Sequence, residues 1–350
     1  MMHKRIAGVA ALGMAGVLAL GGCATKKDNA ASGASGGGSS DKVQIMVGGM
    51  SKVIYLPAAL TQQLGYFKDQ GLNVELVDTP AGVTAETALV ANKAQGVVGF
   101  YDHTIDMQSK GKCLESVVQF ANVPGEVEMV SKKDAASITS TKHLKGKKLG
   151  VTSQGSSTDF LTQYLTGKAG ITGTQYTTVK AGADSTFIAS MKSGGINAGM
   201  TTDPTVAQLT KTGEGKILLD MRTEAGTKDA LGGLYPASSL YMSCDYVKQN
   251  PQTVQKLANA FVKTLKWIKA NDASQIAAKM PTDYKGSDPS LYTKALTDSK
   301  GMFNDTGVID EAGAKNALEV LGSFSPSVKP KKDTIDITKT YTTEFAKNAK

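Results

Sequence analysis

The alternation of strands and helices along the chain is the feature that most constrains its fold. Short apolar runs are followed repeatedly by segments whose apolar residues have helical spacing. Alternation at this spacing is typical of an open, mostly parallel sheet with helices on both faces. It occurs in two passes, whose predicted strands are 42–49, 72–78, 96–100 and 113–123 in the first, and 145–153, 175–182, 196–203 and 216–222 in the second. The chain is therefore predicted to form two α/β units.

The segments between these strands have helical patterns, and the last third of the chain is helical. Residues 234–247 look extended, which predicts that they carry the chain back toward the first unit. The longest predicted helix, 251–271, has one apolar face. We interpret that face as directed to the core, not to a membrane or a partner. The other predicted helices are 55–67, 83–95, 104–111, 156–171, 184–195, 204–215, 291–300 and 310–324.

Length and charge fit a two-domain globular protein and exclude one class of partner. The chain has 350 residues, which is long for one average hydrophobic core. The net charge is +8, but the lysines are scattered, and no basic stripe with interleaved aromatic residues occurs. Nucleic acid is therefore not an expected partner.

The N-terminus indicates export from the cytoplasm. A basic head precedes the apolar run 6–20, which has 15 residues, whereas roughly 20 are needed to span a bilayer. This pattern predicts a signal peptide over 1–22. The segment Leu20-Gly21-Gly22-Cys23 resembles a bacterial lipobox, so we expect Cys23 to be lipidated. The alternative is a secreted protein cut at an ordinary site. Residues 23–41 are rich in Gly and Ser and are predicted to form a flexible tether.

The remaining cysteines, Cys113 and Cys244, are far apart in the sequence. An oxidising compartment would allow a disulfide bond between them. Because nothing in the sequence brings them together, they are predicted to be two separate buried thiols. A zinc site would require clustered His and Cys, which are missing, so neither a metal nor another cofactor is expected.

Four stretches carry a resemblance to a known group of proteins. They follow one another in the order typical of that group, and they are 56–77, 144–171, 201–220 and 250–268. Over about 42–324 the chain resembles the nitrate/sulfonate/taurine and thiamine-pyrimidine precursor group (NMT1-like) of substrate-binding proteins of ABC transporters.

The resemblance implies a two-lobe periplasmic-binding-protein-like type II fold, in which each lobe is a mostly parallel sheet flanked by helices. Lobe 1 would be discontinuous, with residues 42–125 and 240–350, and lobe 2 would span 126–239. A two-strand hinge would lie near 122–131 and 235–245. The cleft would hold a small-molecule ligand, and closure would present it to a membrane permease. The protein would be a monomer, anchored through its lipid on the outer face of a bacterial membrane.

Ligands of open α/β sheets bind beyond the carboxyl ends of the parallel strands. Tyr101, Asp102 and His103 follow the strand 96–100 and are therefore predicted to line the cleft. The alternative is that Asp102 or Thr104 caps the next helix, and both can hold together. The same rule selects the stretch 49–52 after the first strand, with Met50 and Ser51 as expected ligand residues and Tyr55 just beyond.

In the second unit the rule selects Gly155, Ser156, Ser157 and Thr158. A helix N-terminus exposes unpaired N–H groups and carries about half a positive charge, so this stretch is predicted to bind an anion. The alternative is ordinary capping by Ser156 without a ligand.

The sequence leaves the roles of four further side chains open. Asp203 precedes Pro204 and is either a ligand residue or a helix cap. Arg222 could clamp a planar anion or lie on the surface. Glu126, with Glu128, could face a ligand amine or a contact between lobes.

The expected ligand is a small anionic or zwitterionic organic solute, either similar to a sulfonate or taurine or a small aromatic compound. Carboxylates disfavour bare nitrate, because a buried like charge is costly. Nitrate or a thiamine-pyrimidine precursor remains an alternative ligand, and a ligand-sensing receptor lipoprotein is an alternative role. An enzyme is not expected, since no nucleophile–base motif occurs and the cysteines are far apart.

Overall fold

The computed structural model describes residues 42–286 and 288–350, which contain two five-stranded sheets flanked by helices. The expected signal peptide, tether and Cys23 lie outside the described residues. The expected α/β class with two sheets is confirmed. None of the helices within 42–286 and 288–350 is both long and apolar enough to cross a membrane.

The strands follow the expected alternation closely. In chain order they are β1 (Lys42–Val47), β2 (Asn73–Asp78), β3 (Gly96–Phe100), β4 (Leu114–Gln119), β5 (Glu126–Ser131), β6 (Lys148–Val151), β7 (Thr177–Lys180), β8 (Ala198–Thr202), β9 (Gly215–Asp220) and β10 (Ser238–Ser243).

The α-helices occupy the connections and most of the C-terminal third. In chain order they are α1 (Leu56–Gln63), α2 (Tyr66–Asp69), α3 (Gly82–Val90), α4 (Asp102–Ser109), α5 (Ser157–Lys168), α6 (Asp184–Ser193), α7 (Thr205–Thr212), α8 (Glu224–Leu231), α9 (Cys244–Gln249), α10 (Pro251–Ala270), α11 (Ala273–Lys279), α12 (Thr282–Lys285), α13 (Pro289–Ser299), α14 (Glu311–Phe324) and α15 (Glu344–Lys347). Short 3₁₀ turns lie at Val53–Tyr55, Thr141–Leu144, Lys300–Met302, Lys329–Thr334 and Ile337–Lys339.

Each sheet is parallel apart from one strand. Sheet 1 has the order β2-β1-β3-β10-β4, and sheet 2 has the order β7-β6-β8-β5-β9. β10 is antiparallel to both of its neighbours, and so is β5. These are the first strands that the chain forms after it passes from one sheet to the other. The carboxyl ends of β3 and β8 therefore remain free to face the boundary between the sheets.

The chain crosses between the sheets twice, once between β4 and β5 and once between β9 and β10. Much of the expected hinge regions is regular strand, because β5 pairs along its whole length in sheet 2 and β10 does so in sheet 1. α8, in the second crossing, was not expected. Its sequence EAGTKDAL has little apolar periodicity, and only Thr227, Ala230 and Leu231 are buried. α9 begins at Cys244, inside the segment that was expected to be extended.

The long helix α10 directs its apolar face inward, as expected. Val254, Leu257 and Phe261 are fully buried. The Phe261 ring lies 4.9 Å from the Phe120 ring and 5.3 Å from the Phe67 ring, measured between centroids. α10 thereby joins the helices of sheet 1 into its main core.

The prediction of two separate thiols is wrong, because Cys113 and Cys244 form a disulfide bond with Cα atoms 5.5 Å apart. Cys113 immediately precedes β4 and Cys244 immediately follows β10. These strands are antiparallel neighbours, and Leu114 lies opposite Ser243. The sequence did not show that β10 lies between β3 and β4, so it gave no reason to bring the two cysteines together.

Candidate functional site

A small void separates the two sheets at the carboxyl ends of their parallel strands. It has a volume of about 10 Å³, close to the minimum that one water molecule needs. We call this region the inter-sheet gap and define it by its lining residues, which are Lys52, Tyr55, Gly82, Phe100, Glu126, Thr152, Ser156, Ser157 and Thr158. Both sheets contribute to the lining, so the two edges are closed on each other in the structure.

Asp102 links the two sheets next to the gap. It is the first residue of α4 and is fully buried. Its Oδ1 accepts a hydrogen bond from the Ser157 hydroxyl at 2.8 Å, and its Oδ2 accepts one from the Tyr235 hydroxyl at 2.8 Å. Burial raises the pKa of Asp102, while His103 and these hydroxyls oppose that rise. One carboxyl group therefore connects α4, α5 and the second crossing.

The alternative that Asp102 or Thr104 caps α4 is wrong. Tyr101 occupies the capping position, and no side-chain hydrogen bond is made there. The Thr104 hydroxyl donates instead to the carbonyl oxygen of Tyr101 at 2.8 Å. The Asp102 side chain is thus used for contacts across the gap.

His103 lies in the middle of a buried polar cluster. Its Nδ1 is 3.3 Å from Glu86 Oε2 and 3.2 Å from the Tyr241 hydroxyl, and its Nε2 is 3.5 Å from the Ser157 hydroxyl. Gly82 leaves space for the ring, because a Cβ at that position would lie 3.0 Å from His103 Cε1. Burial raises the pKa of Glu86, and His103 counteracts part of this effect.

The start of α5 offers hydrogen-bond donors to the gap. Ser156 occupies the capping position, but its buried hydroxyl has no hydrogen-bond partner among the described residues. The expected alternative of ordinary capping by Ser156 is therefore not observed. Gly155 has φ +78° and its N–H donates to Asp159 at 2.9 Å, while the Thr158 hydroxyl accepts from Thr152 N–H at 3.0 Å. First-turn N–H groups of a helix have no acceptor within the helix.

Glu126 brings a carboxyl group to the same void. It is the first residue of β5 and is buried, and its Oε2 has no partner in the described part of the chain. Burial raises the pKa of Glu126 to about 8; Lys52 lowers it, and Asp102 and Glu128 raise it further. At neutral pH the group is therefore mostly protonated.

Lys52 is the basic side chain that lines the gap. Its Nζ donates to the carbonyl oxygen of Gly48 at 2.9 Å and lies 5.8 Å from the centre of the Tyr55 ring. Burial lowers the pKa of Lys52, and this effect is opposed by Glu126, Asp184 and Asp78. The gap thus combines an amino group, a carboxyl group, hydroxyl groups and an aromatic wall.

Glu128 follows Glu126 on the same face of β5, since alternate strand residues share a face. It is buried opposite Met200 of β8 and Leu219 of β9. Its Oε1 has no partner within the described residues, and burial raises the pKa of Glu128 to about 8. It does not line the void itself.

Three of the expected residues on the sheet 1 side lie elsewhere. Tyr101 is fully buried, its hydroxyl lies 2.5 Å from the Thr340 hydroxyl and its ring packs edge-on against Tyr341. The Met50 N–H donates to Asp78 at 2.7 Å. The Ser51 hydroxyl donates to Asp184 of α6 at 2.6 Å, which makes a second link between the sheets.

Asp203 and Arg222 form an ion pair beside α13, outside the lining of the gap. Arg222 Nη1 lies 2.9 Å from Asp203 Oδ2, and Arg222 also pairs with Asp220. Asp203 Oδ1 accepts from Ala207 N–H at 3.1 Å, but Pro204 occupies the capping position of α7, so Asp203 contacts the first turn from the residue before the cap. Arg222 lines a different cavity, of about 620 Å³, between sheet 2 and α13.

The residues that the structure brings to the gap or its wall are Tyr55, Asp102, His103, Glu126, Gly155, Ser156, Ser157 and Thr158.

Several residues that the structure places in or beside the gap were not predicted from the sequence. Lys52 lies in the strand-end stretch 49–52 that the topological rule had selected, so a signal for it existed. The others lie in segments whose pattern predicted ordinary helix, strand or crossing, and only the tertiary structure reveals them. They are Gly82, Glu86, Phe100, Tyr235 and Tyr241.

Comparison with known proteins agrees with this architecture. The model of the family described as NMT1/THI5 like matches residues 53–274. The chain belongs to the NMT1/THI5-like family. The resemblance stated from the sequence is thereby confirmed.

Solved structures of three related proteins show the same fold. A protein of Bordetella bronchiseptica RB50 is 36% identical, with a TM-score of 0.83, and the match covers 87% of this chain and 95% of that one. The alkanesulfonate-binding protein SsuA of Xanthomonas axonopodis pv. citri, bound to MOPS, is 17% identical, with a TM-score of 0.70 and coverage of 86% and 98%. The periplasmic nitrate-binding protein NrtA of Synechocystis PCC 6803 is 15% identical, with a TM-score of 0.64 and coverage of 85% and 86%.

Proposed function

We propose that this protein is the extracytoplasmic solute-binding component of an ABC importer. It captures a small anionic or zwitterionic organic solute in the inter-sheet gap and delivers it to a permease. The family, the fold and the sulfonate-binding and nitrate-binding neighbours support this role. The two sheets with their helices act as the lobes of the binding protein, and the two crossings act as the hinge. The signal peptide directs it out of the cytoplasm, and the lipid on Cys23 holds it at the bacterial cell envelope.

The main support from the structure is a pair of buried polar groups without protein partners. Ser156 Oγ and Glu126 Oε2 both belong to residues that line the gap, and neither has a hydrogen-bond partner in the described chain. A buried polar group without a partner costs about 1–3 kcal/mol. A solute that offers complementary groups recovers this free energy, so its binding stabilises the closed arrangement.

The chemistry of the lining suits a solute with two different ends. The first-turn N–H groups of α5 and the Ser156 hydroxyl donate to a sulfonate or carboxylate group. The Glu126 carboxyl group accepts from a donor on the other end. Tyr55 and Phe100 provide apolar surface for the carbon atoms between them.

Capture requires the gap to open. Sites for organic ligands have volumes of about 300–1,000 Å³, far more than the void of about 10 Å³. Within the described residues the chain passes between the sheets in two crossings, and a hinge motion about them would admit the solute. Closure would then bring the two sheets together around the solute, with a wider gap than the void in this structure.

Thermal-shift and calorimetric titrations test this proposal. The panel contains taurine, alkanesulfonates, aromatic acids, pyrimidines and nitrate, and at least one organic solute is expected to raise the unfolding temperature by mass action. Ser156→Ala should weaken that binding about five- to twentyfold through loss of one hydrogen bond. The exposed Ser193→Ala serves as the matched control and should bind normally. Binding of nitrate alone, or equal binding by both variants, would contradict the proposal.

A further inference from the structure

We infer that the solute carries an ammonium or similar N–H cation that binds the Glu126 carboxyl group, and that this binding displaces a proton from Glu126 into solvent. This inference rests on the proposed function and narrows its solute class. It excludes simple anions as the main ligand.

The position of Glu126 is the first step of the argument. Its carboxyl group faces a void lined by Lys52, Tyr55 and Ser156, and one of its oxygens is buried without a partner among residues 42–286 and 288–350. The void lies between the two sheets, where the proposed function places the solute. Of the gap residues, Glu126 alone carries a carboxyl group, so it is the natural partner for a donor on the solute.

The charged groups around Glu126 give the second step. Lys52 faces it from the loop after β1, Asp102 from α4 and Glu128 from its own strand. The hydroxyls of Tyr55 and Tyr235 are also close enough for Glu126 to raise the pKa of both. Beyond Asp102 lies the pair His103 and Glu86. Two further carboxyl groups therefore act on Glu126 and raise its pKa, whereas a cation on the solute would favour the ionised form, as Lys52 does.

The third step is the proton balance. Before binding, Glu126 is held mostly as the neutral acid, because burial raises its pKa to about 8. An ammonium group at hydrogen-bond distance favours the carboxylate. The acid then gives its proton to solvent, and the neutral acid plus the cation becomes an ion pair plus a free proton. A solute without such a cation leaves Glu126 protonated and releases nothing.

Matched solutes test the inference directly. Taurine is compared with ethanesulfonate, β-alanine with propionate, and phenylalanine with 3-phenylpropionate, by calorimetry in phosphate and in Tris. In whichever pair of solutes binds, the compound with the amine is expected to bind at least about tenfold more tightly than the compound without it. Near pH 6.5 it should release about one proton, so its affinity should rise about tenfold per pH unit until about pH 8.

Two glutamine variants locate the effect. Glu126→Gln should abolish both the preference for the amine and the proton release, and should keep the weaker binding of the analogue without the amine. Glu128→Gln is the matched control, because Glu128 lies on the same strand but does not line the void. This variant should keep both the preference for the amine and the proton release. If the analogue without the amine binds the wild type equally well and no proton is released, the inference fails while the proposed function stands.

A measurement without the transported solute completes the test. In protein labelled with ¹³C at glutamate carboxyl groups, the resonance that disappears in Glu126→Gln should titrate near pH 8, and methylammonium should move that midpoint downward. A midpoint near pH 4, or a midpoint that neither methylammonium nor any amine of the panel changes, overturns the inference. Failure of the whole panel to bind, with the methylammonium shift present, would instead count against the proposed solutes.

Discussion

At the scale of single residues, the contact between Ser157 and Asp102 is the clearest link across the gap. It joins the first turn of α5 on sheet 2 to the first turn of α4 on sheet 1, and both residues are buried. Asp102 also holds Tyr235 of the second crossing. The sheets are thus held together by a hydrogen bond to a carboxyl group, which is stronger than one between neutral groups when that carboxyl is ionised.

Ser157→Ala should therefore shift the protein toward an open arrangement. The variant removes one donor from a buried carboxyl group, at a cost of about 1–3 kcal/mol. Small-angle X-ray scattering should show a larger radius of gyration than for the wild type, and the unfolding temperature should fall. Ser193→Ala, on an exposed part of α6, should change neither quantity. An unchanged radius in Ser157→Ala would show that this bond does not hold the sheets closed.

The buried carboxyl groups of β5 predict an unusual dependence of stability on pH. Burial raises the pKa of both Glu126 and Glu128 to about 8, above the values of the unfolded chain. The folded state therefore binds more protons, and the stability that this provides is complete below about pH 4.5 and is lost as the pH rises through 8. Each such group changes the free energy of unfolding by roughly 3–5 kcal/mol over this range.

Urea unfolding between pH 5 and 9 measures this effect. Glu128→Gln removes one of the two buried acids whose pKa is raised in the folded state. The free energy of unfolding of this variant should therefore fall less steeply with pH than that of the wild type. Glu224→Gln changes an exposed carboxylate on α8 and should follow the wild-type curve. Parallel curves for Glu128→Gln and wild type would mean that Glu128 is ionised throughout.

At the scale of secondary-structure elements, the sequence predicted most strands and helices because their apolar patterns are regular. The alternation around β1 to β4 and β6 to β9 is of this kind. α8 was missed because it is short and polar, and its start depends on a cap in which Thr223 accepts from Gly226 N–H. Ser156 shows the reverse case. The sequence rule for helix caps was satisfied, but the hydroxyl has no partner in the part of the chain that the structure describes, because tertiary structure decides where a capping side chain points.

The disulfide bond between the start of β4 and the end of β10 should contribute strongly to stability. It joins residues that are 131 positions apart and thereby encloses every strand of sheet 2 within one covalent loop. The chain-entropy estimate for a loop of this length is about 5 kcal/mol.

The double variant Cys113→Ala, Cys244→Ala should unfold at lower urea concentration than the wild type. Dithiothreitol should lower the wild-type midpoint toward that of the variant and leave the variant unchanged. If the reductant lowered both midpoints equally, its effect would not come from this bond.

At the scale of the whole molecule, the site consists of segments that are distant in the sequence. The rule that ligands bind beyond strand ends correctly selected Tyr55, Asp102 and the start of α5 as neighbours of the inter-sheet boundary. It could not exclude Tyr101, since only the C-terminal segment around Thr340 shows which way that ring points. The rule also could not exclude Arg222 from the gap, because Arg222 follows the end of β9 just as the gap residues follow the ends of other strands. Strand ends show which residues lie at the edge of a sheet, but the direction of each side chain decides which of them contact one another.

Hinge motion of the whole molecule can be tested by locking the second link between the sheets. Ser51 and Asp184 approach across the boundary, with 2.6 Å between their side-chain oxygens. In the double variant Ser51→Cys, Asp184→Cys, an oxidised bond should hold the sheets closed. Because the void of about 10 Å³ admits no organic solute, the oxidised variant should bind solute at least about a hundredfold more slowly than the reduced one in stopped-flow fluorescence.

Two controls distinguish blocked opening of the gap from damage caused by the substitutions or by the oxidant. Each single cysteine variant, treated with the same oxidant, should bind at the rate of the reduced double variant. The wild type controls for the native disulfide, whose strands β4 and β10 both belong to sheet 1, so its oxidation state should leave the binding rate unchanged. If the locked protein still took up solute at the normal rate, entry would not require the sheets to part, and the solute site would have to lie outside the inter-sheet gap.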